Sequence, residues 1–198
     1  MPYSQFKLDN IKQELGLELR DHISLFRDVP PVEYSAFLSA LLAKYSPLAI
    51  AIGTEKSKSE FIIAPILYEL KEQLENKVSL FSGKEFNVEP EKGLAGFCDF
   101  LISKSPEQLI IESPVITVVG AKNDNILSGV GQCIAEMVAA QIFNERHQNP
   151  IPAIYGVITT GSNWKFLRLR GNIVEVDFDE YYLNDVGKIL GILRHCAS

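Results

Sequence analysis

The stretch ITVVGAKNDN, Ile116 to Asn125, ends an apolar run on a lysine. Its β-branched residues suit a buried strand, so Lys122 sits where a cation needs a carboxylate or an anionic ligand beside it. Side chains two apart on a strand share a face, which sets Gly120 and Lys122 together and Ala121 opposite them. Glycine therefore stands where an acid would be expected. A second such residue is Asp99, in the otherwise apolar FCDFL. A buried carboxylate requires a cation, a metal ion or several donors, unless it caps a loop or faces solvent on an edge strand. If the two strands are neighbours, Asp99 and Lys122 face one side of the sheet. There the lysine could stabilise developing negative charge or orient a water, or the two could form a plain ion pair.

Three further residues bear on that chemistry. Gln132 and Glu136 are one helical turn apart and share a face with the small residues Gly129, Cys133 and Ala140. A helix with a small-residue face can approach a sheet closely and bring Glu136 to the strand ends; a solvated polar edge is the other reading. Glu60 begins a helix that Ser59 can cap, where a carboxylate favours the positive end of the helix dipole. His22, His147 and His195 are isolated and read as surface residues, and Trp164 is expected to pack on the sheet. The glycines of GLAGFCD and GVGQC do not match a phosphate-binding loop.

The elements that must position these side chains follow from periodicity. Residues 4–20 carry a short amphipathic pattern, and DVPP breaks it. A helix is predicted over roughly Val32–Tyr45, with LAIAIG after it as a short strand or buried connection. The helix from Ser59 carries Phe61, Ile62, Ile66, Leu67, Leu70 and Leu74 at helical spacing, with Pro65 expected to kink or restart it. KVSLFSGKEFNV reads as a hairpin with Gly83 at its turn, followed by central strands in GLAGFCDFLIS and SPVITVVGA. Leu127–Arg146 is a long helix; AIYGVITTG, WKFLRLRG and NIVEVDF are strands; a last helix spans about Asn184–His195. The sum is an α/β protein, a mixed sheet flanked by helices.

The 198 residues suffice for one domain with a sizeable core, and 46% hydrophobic with 22% charged residues is ordinary for a globular chain. The net charge of −6 argues against indiscriminate nucleic-acid binding through a basic surface, though not against a local basic groove. No signal peptide is evident, and no apolar run is expected to span a membrane. Cys98, Cys133 and Cys196 form no CxxC pair, so a structural zinc site is not expected; three free thiols imply a reducing, cytoplasmic setting.

Together these residues resemble the restriction-endonuclease-like, or PD-(D/E)XK, nuclease superfamily, over about Ser59–Thr160. The family core is a helix, three strands, a helix and a strand (αβββαβ). Its motif places one acid on the second strand and an acid, any residue and a lysine on the third. VVGAKN looks like the family pattern VVEAKN with glycine in the glutamate position. By this resemblance Asp99 is the first acid, Lys122 the lysine, and Glu60 and Gln132 the helical contributors. Asp99 and the Ala121 carbonyl would bind magnesium, weakly or not at all for want of the second acid. The implied activity is metal-dependent hydrolysis of a nucleic acid, with Glu136 the preferred substitute for the missing acid and Glu112 and Asp124 less suited. The alternative is a non-catalytic binding or scaffold protein on an inherited fold. One domain is expected: 1–58 as an N-terminal helical extension, 59–160 as the nuclease-like core, and 161–198 as C-terminal strands and helix. A two-fold homodimer is the default assembly.

Overall fold

Alternation of large apolar side chains along the strands sorts them onto two faces, each covered by its own helices. This is seen in a computed structural model that describes residues 2–198. A short helix α1 (Ile11–Leu15) ends at Gly16, whose φ of 65° closes it, and the chain enters strand β1 (Glu18–Ile23). Next come α2 (Ala36–Ile52), a four-residue turn α3 (Glu55–Lys58), a π-helical turn (Ser59–Ile63) and α4 (Ala64–Gln73). Strands β2 (Ser79–Glu85), β3 (Phe97–Ser103) and β4 (Val115–Ala121) lead to a 3-10 turn (Ile126–Gly129) and α5 (Val130–Arg146). The chain closes with β5 (Ile154–Thr159), β6 (Asn163–Arg170), β7 (Ile173–Asp177), the short β8 (Tyr181–Tyr182) and α6 (Val186–Cys196).

All eight strands belong to one mixed sheet, ordered β1-β7-β6-β5-β4-β3-β2, with β8 on β6. The β4–β5 and β1–β7 pairs are parallel, and the long connection from β4 to β5 is the crossover through α5. One face packs α2, α4 and α6 over Phe100, Val119, Val157 and Phe166. The other packs α1 and α5 over Leu101, Val118, Ile158 and Leu167. Every residue of β4 is buried, so this strand is the centre of both cores. α5 approaches β5 tightly at Gly156, where an added Cβ would lie 2.5 Å from Met137 Sδ and 2.7 Å from Cys133 Sγ.

Several expectations need correction. Residues 1–58 are not a helical extension: β1 pairs with β7 and forms one edge of the main sheet. The helix expected at Val32–Tyr45 begins at Ala36, where the Ser35 hydroxyl accepts the Leu38 N–H, and runs on to Ile52. It absorbs LAIAIG, and Pro47 with it. KVSLFSGKEFNV is not a hairpin. Gly83 has the left-handed φ of 59° that a turn would use, but it lies within β2, which pairs with β3 from Ser79↔Ser103 to Glu85↔Phe97. The helix carrying Glu60 starts four residues before Ser59, because Thr54 is the cap: its hydroxyl accepts the Ser57 N–H at 3.1 Å. Pro65 falls at the start of α4, directly after the π-helical turn, where its missing N–H and its ring disfavour a regular helix. The segment Ile126–Arg146 is, contrary to expectation, long and apolar enough to cross a membrane, but 61% of its most apolar window is buried within the fold.

Candidate functional site

The β3–β4 ladder pairs Leu101 with Val118 and Phe100 with Val119, then stops. The next residue on β3 is Asp99. Its carboxylate reaches across to accept the Ala121 N–H at 2.8 Å, taking the place of a ladder carbonyl. On its other side β4 stays paired with β5, through Gly120↔Ile158 and Ala121↔Thr159, and the Lys122 N–H donates to the Thr159 carbonyl at 2.8 Å. The backbone from 120 to 122 is thus fixed from both neighbours.

Lys122 turns its side chain toward α5, where its Nζ lies 3.4 Å from Gln132 Oε1. Gly129 makes this possible: a Cβ there would sit 2.7 Å from Lys122 Cε. Gln132 donates in turn to Glu136 Oε1 at 2.8 Å. Glu136 is fully buried, and its second oxygen has no hydrogen-bond partner among the described residues. Burial pushes its carboxyl up to about 8, with Asp99 adding to the rise and Gln132 and Lys122 opposing it. At neutral pH Glu136 therefore holds a proton.

Glu136 does not line the open side of the site. A cavity of about 280 Å³ does, bordered by Glu55, Lys56, Ser59, Glu60, Asp99 and Ala121. Glu55, which sequence reasoning missed, is the second carboxylate here. Burial raises its pKa, Lys122 lowers it and Asp99 raises it, so it feels both of the motif residues. The missed signal was Thr54-Glu55 directly after Gly53, a capping residue and a first-turn acid. Glu60 sits at the cavity rim, half exposed, with Lys56 at 3.3 Å. Glu112 is engaged with Ser105 at 2.6 Å, and Asp124 is exposed on the loop after Lys122; neither borders the cavity. Lys58 ties the first helical turn to that loop: its buried Nζ donates to the Asn123 carbonyl at 2.6 Å.

Position 120 itself is roomy. A Cβ on Gly120 would meet only the Val157 carbonyl, at 3.9 Å, and its φ does not require glycine. The cavity's border offers a cation the carboxylates of Asp99 and Glu55, with Glu60 at the rim paired to Lys56, and Ala121 as the residue whose carbonyl would join them. That set could engage a magnesium ion that keeps several of its waters, one anionic ligand short of what an acid at position 120 would supply. It does not make a cage: among the described residues no three acids, histidines or cysteines are grouped to hold a metal ion.

No protein-family model matches the chain, and no curated protein matches it.

Proposed function

We propose that the chain is a nuclease-like protein of the PD-(D/E)XK type, in which metal-dependent phosphodiester hydrolysis is weak or lost because Gly120 stands at a metal-ligand position. The observation that carries this is the Asp99 carboxylate on the Ala121 N–H, with Lys122 following and Gln132 behind it. It is the arrangement expected where an acid on one strand and a lysine on the next act on a single phosphate. The segment from α3 to β5 also runs helix, three strands, helix, strand, which supports a restriction-endonuclease-like core.

Each residue then has a task. Asp99, the Ala121 carbonyl and Glu55 would hold magnesium, which when bound polarises the phosphate and lowers the pKa of its water. Lys122 offers its charge to a phosphate oxygen, where it stabilises the charge that develops on hydrolysis. Gln132 orients that lysine, and protonated Glu136 orients Gln132. Glu60 and Lys56 border the entry. The substrate is a nucleic acid, and the three buried free thiols accord with a reducing, cytoplasmic setting.

A second reading, a binding or scaffold protein without catalysis, is favoured by Gly120 and by the burial of Glu136 away from the cavity. A nuclease assay with manganese on single- and double-stranded DNA separates the two. The native chain is expected to cut little, Gly120→Glu to raise the rate roughly a thousandfold, and Asp99→Asn to abolish that gain. Robust cutting by the native chain that persists in Asp99→Asn would overturn the assignment of the site. Cutting by neither the native chain nor Gly120→Glu would leave the scaffold reading in its place.

A further inference from the structure

The outer side of α2 is uncovered. Phe37, Leu41, Leu48 and Ile52 recur at helical spacing, and Phe37 is 72% exposed, with Leu48 and Ile52 about half exposed. Near Phe37 this stripe opens into a groove of about 270 Å³ between α2 and α4. Leu41, Ala64 and Pro65 line it with Phe37 and Tyr68, and Glu60 and Glu72 stand at its border. A third carboxylate there, Glu69, is already engaged by the Ser35 N–H and hydroxyl, at 2.8 and 2.6 Å. Among the described residues no lysine or arginine lines the groove, and Lys56 reaches its border through Glu60. Single exposed apolar side chains are common on protein surfaces, whereas a contiguous apolar groove edged by polar residues marks an interaction site.

Charge selects the occupant. An anionic membrane or a nucleic acid would meet carboxylates, and a two-fold pairing of this chain through the groove would set acidic border against acidic border. We propose that the groove binds a basic amphipathic segment of another protein. An apolar side chain of that segment seats between Phe37 and Tyr68, and its lysines or arginines lie over Glu72 and compete with the exposed Lys56 for Glu60. Because Glu60 also borders the candidate site, the bound segment would lie beside the entrance to that site. The inference goes beyond the nuclease-like reading and does not depend on it.

The test uses the full chain and a short fluorescein-labelled helical peptide of leucine and lysine, followed by fluorescence anisotropy. The peptide is expected to bind, and to bind less as salt is added. Phe37→Ser and Glu72→Lys should each weaken it about tenfold or more while leaving the circular dichroism melt unchanged. A leucine–glutamate peptide should not bind. The proposal is overturned if the basic peptide does not bind, if both variants bind it as the native chain does, or if the acidic peptide binds equally well. It is also overturned if sedimentation shows a dimer that Phe37→Ser dissociates, since a second copy would then fill the groove.

Discussion

A glutamate buried without a partner for one of its oxygens stays in a fold only where its proton state is settled, and Glu136 is such a residue. Its folded pKa of about 8 lies above the ordinary 4.5, so the folded protein binds a proton that the unfolded chain has released between those values. The stability from this group is present in full below about pH 4.5 and is lost as pH rises through about 8. Glu136→Gln keeps the hydrogen-bonding shape and removes the titration. Urea melts across that range should show the native chain weakening toward alkaline pH and the variant nearly flat; an equal decline in both would place the titrating group elsewhere. The sequence pointed to Glu136 through its turn spacing from Gln132, but as a substitute metal ligand. Burial, which no spacing reveals, sets it behind Gln132 and off the lining of the cavity. Glu55 went unread for the opposite reason: its neighbours Asp99 and Lys122 are distant in the chain.

At the scale of elements, the strands around the site were legible because β3 to β7 are apolar runs or alternations bounded by glycine and proline. What failed was local punctuation. Gly83 looks like a turn but serves inside a paired strand, and Ser59 looks like a cap but Thr54 does that work. β1 was unreadable because its partner β7 lies far along the chain and most of its side chains are exposed. The start of the first site helix matters most, since it carries both Glu55 and Lys58. Lys58 is the tie between that helix and the loop after Lys122. Lys58→Met removes a buried charged donor and leaves the Asn123 carbonyl to find another partner, at about 1–3 kcal/mol. For a chain of this size that lowers Tm by roughly 2–12 °C. Hydrogen exchange should localise the change to residues 123–125. A melt unchanged from the native chain would show that the tie carries no stability.

As a whole the molecule presents few cations to a polyanion near its site. The net charge is −6; among the described residues the lysine that borders the cavity is Lys56, already paired with Glu60, and Lys122 directly follows the bordering Ala121 with its side chain toward α5. Nucleic-acid binding should therefore be weak and rest on about two phosphate contacts. Anisotropy of a labelled DNA over a salt series should give a logarithmic slope of about −2. A slope of about −6 or steeper would require a basic surface that the fold does not present around this site. Composition alone argued against indiscriminate binding through a broad basic face. It could not foretell the acidic groove beside α2, because that groove forms only when α2 and α4 pack against each other.

We propose that the site at Asp99 holds a divalent cation poorly for lack of one carboxylate at position 120, and manganese titration by calorimetry tests this without relying on catalysis. The native chain should bind weakly, Gly120→Glu at least about tenfold more tightly, and Gly120→Glu with Asp99→Asn no better than the native chain. Tight binding by the native chain that survives Asp99→Asn, or no gain from Gly120→Glu in a folded protein, would contradict the account.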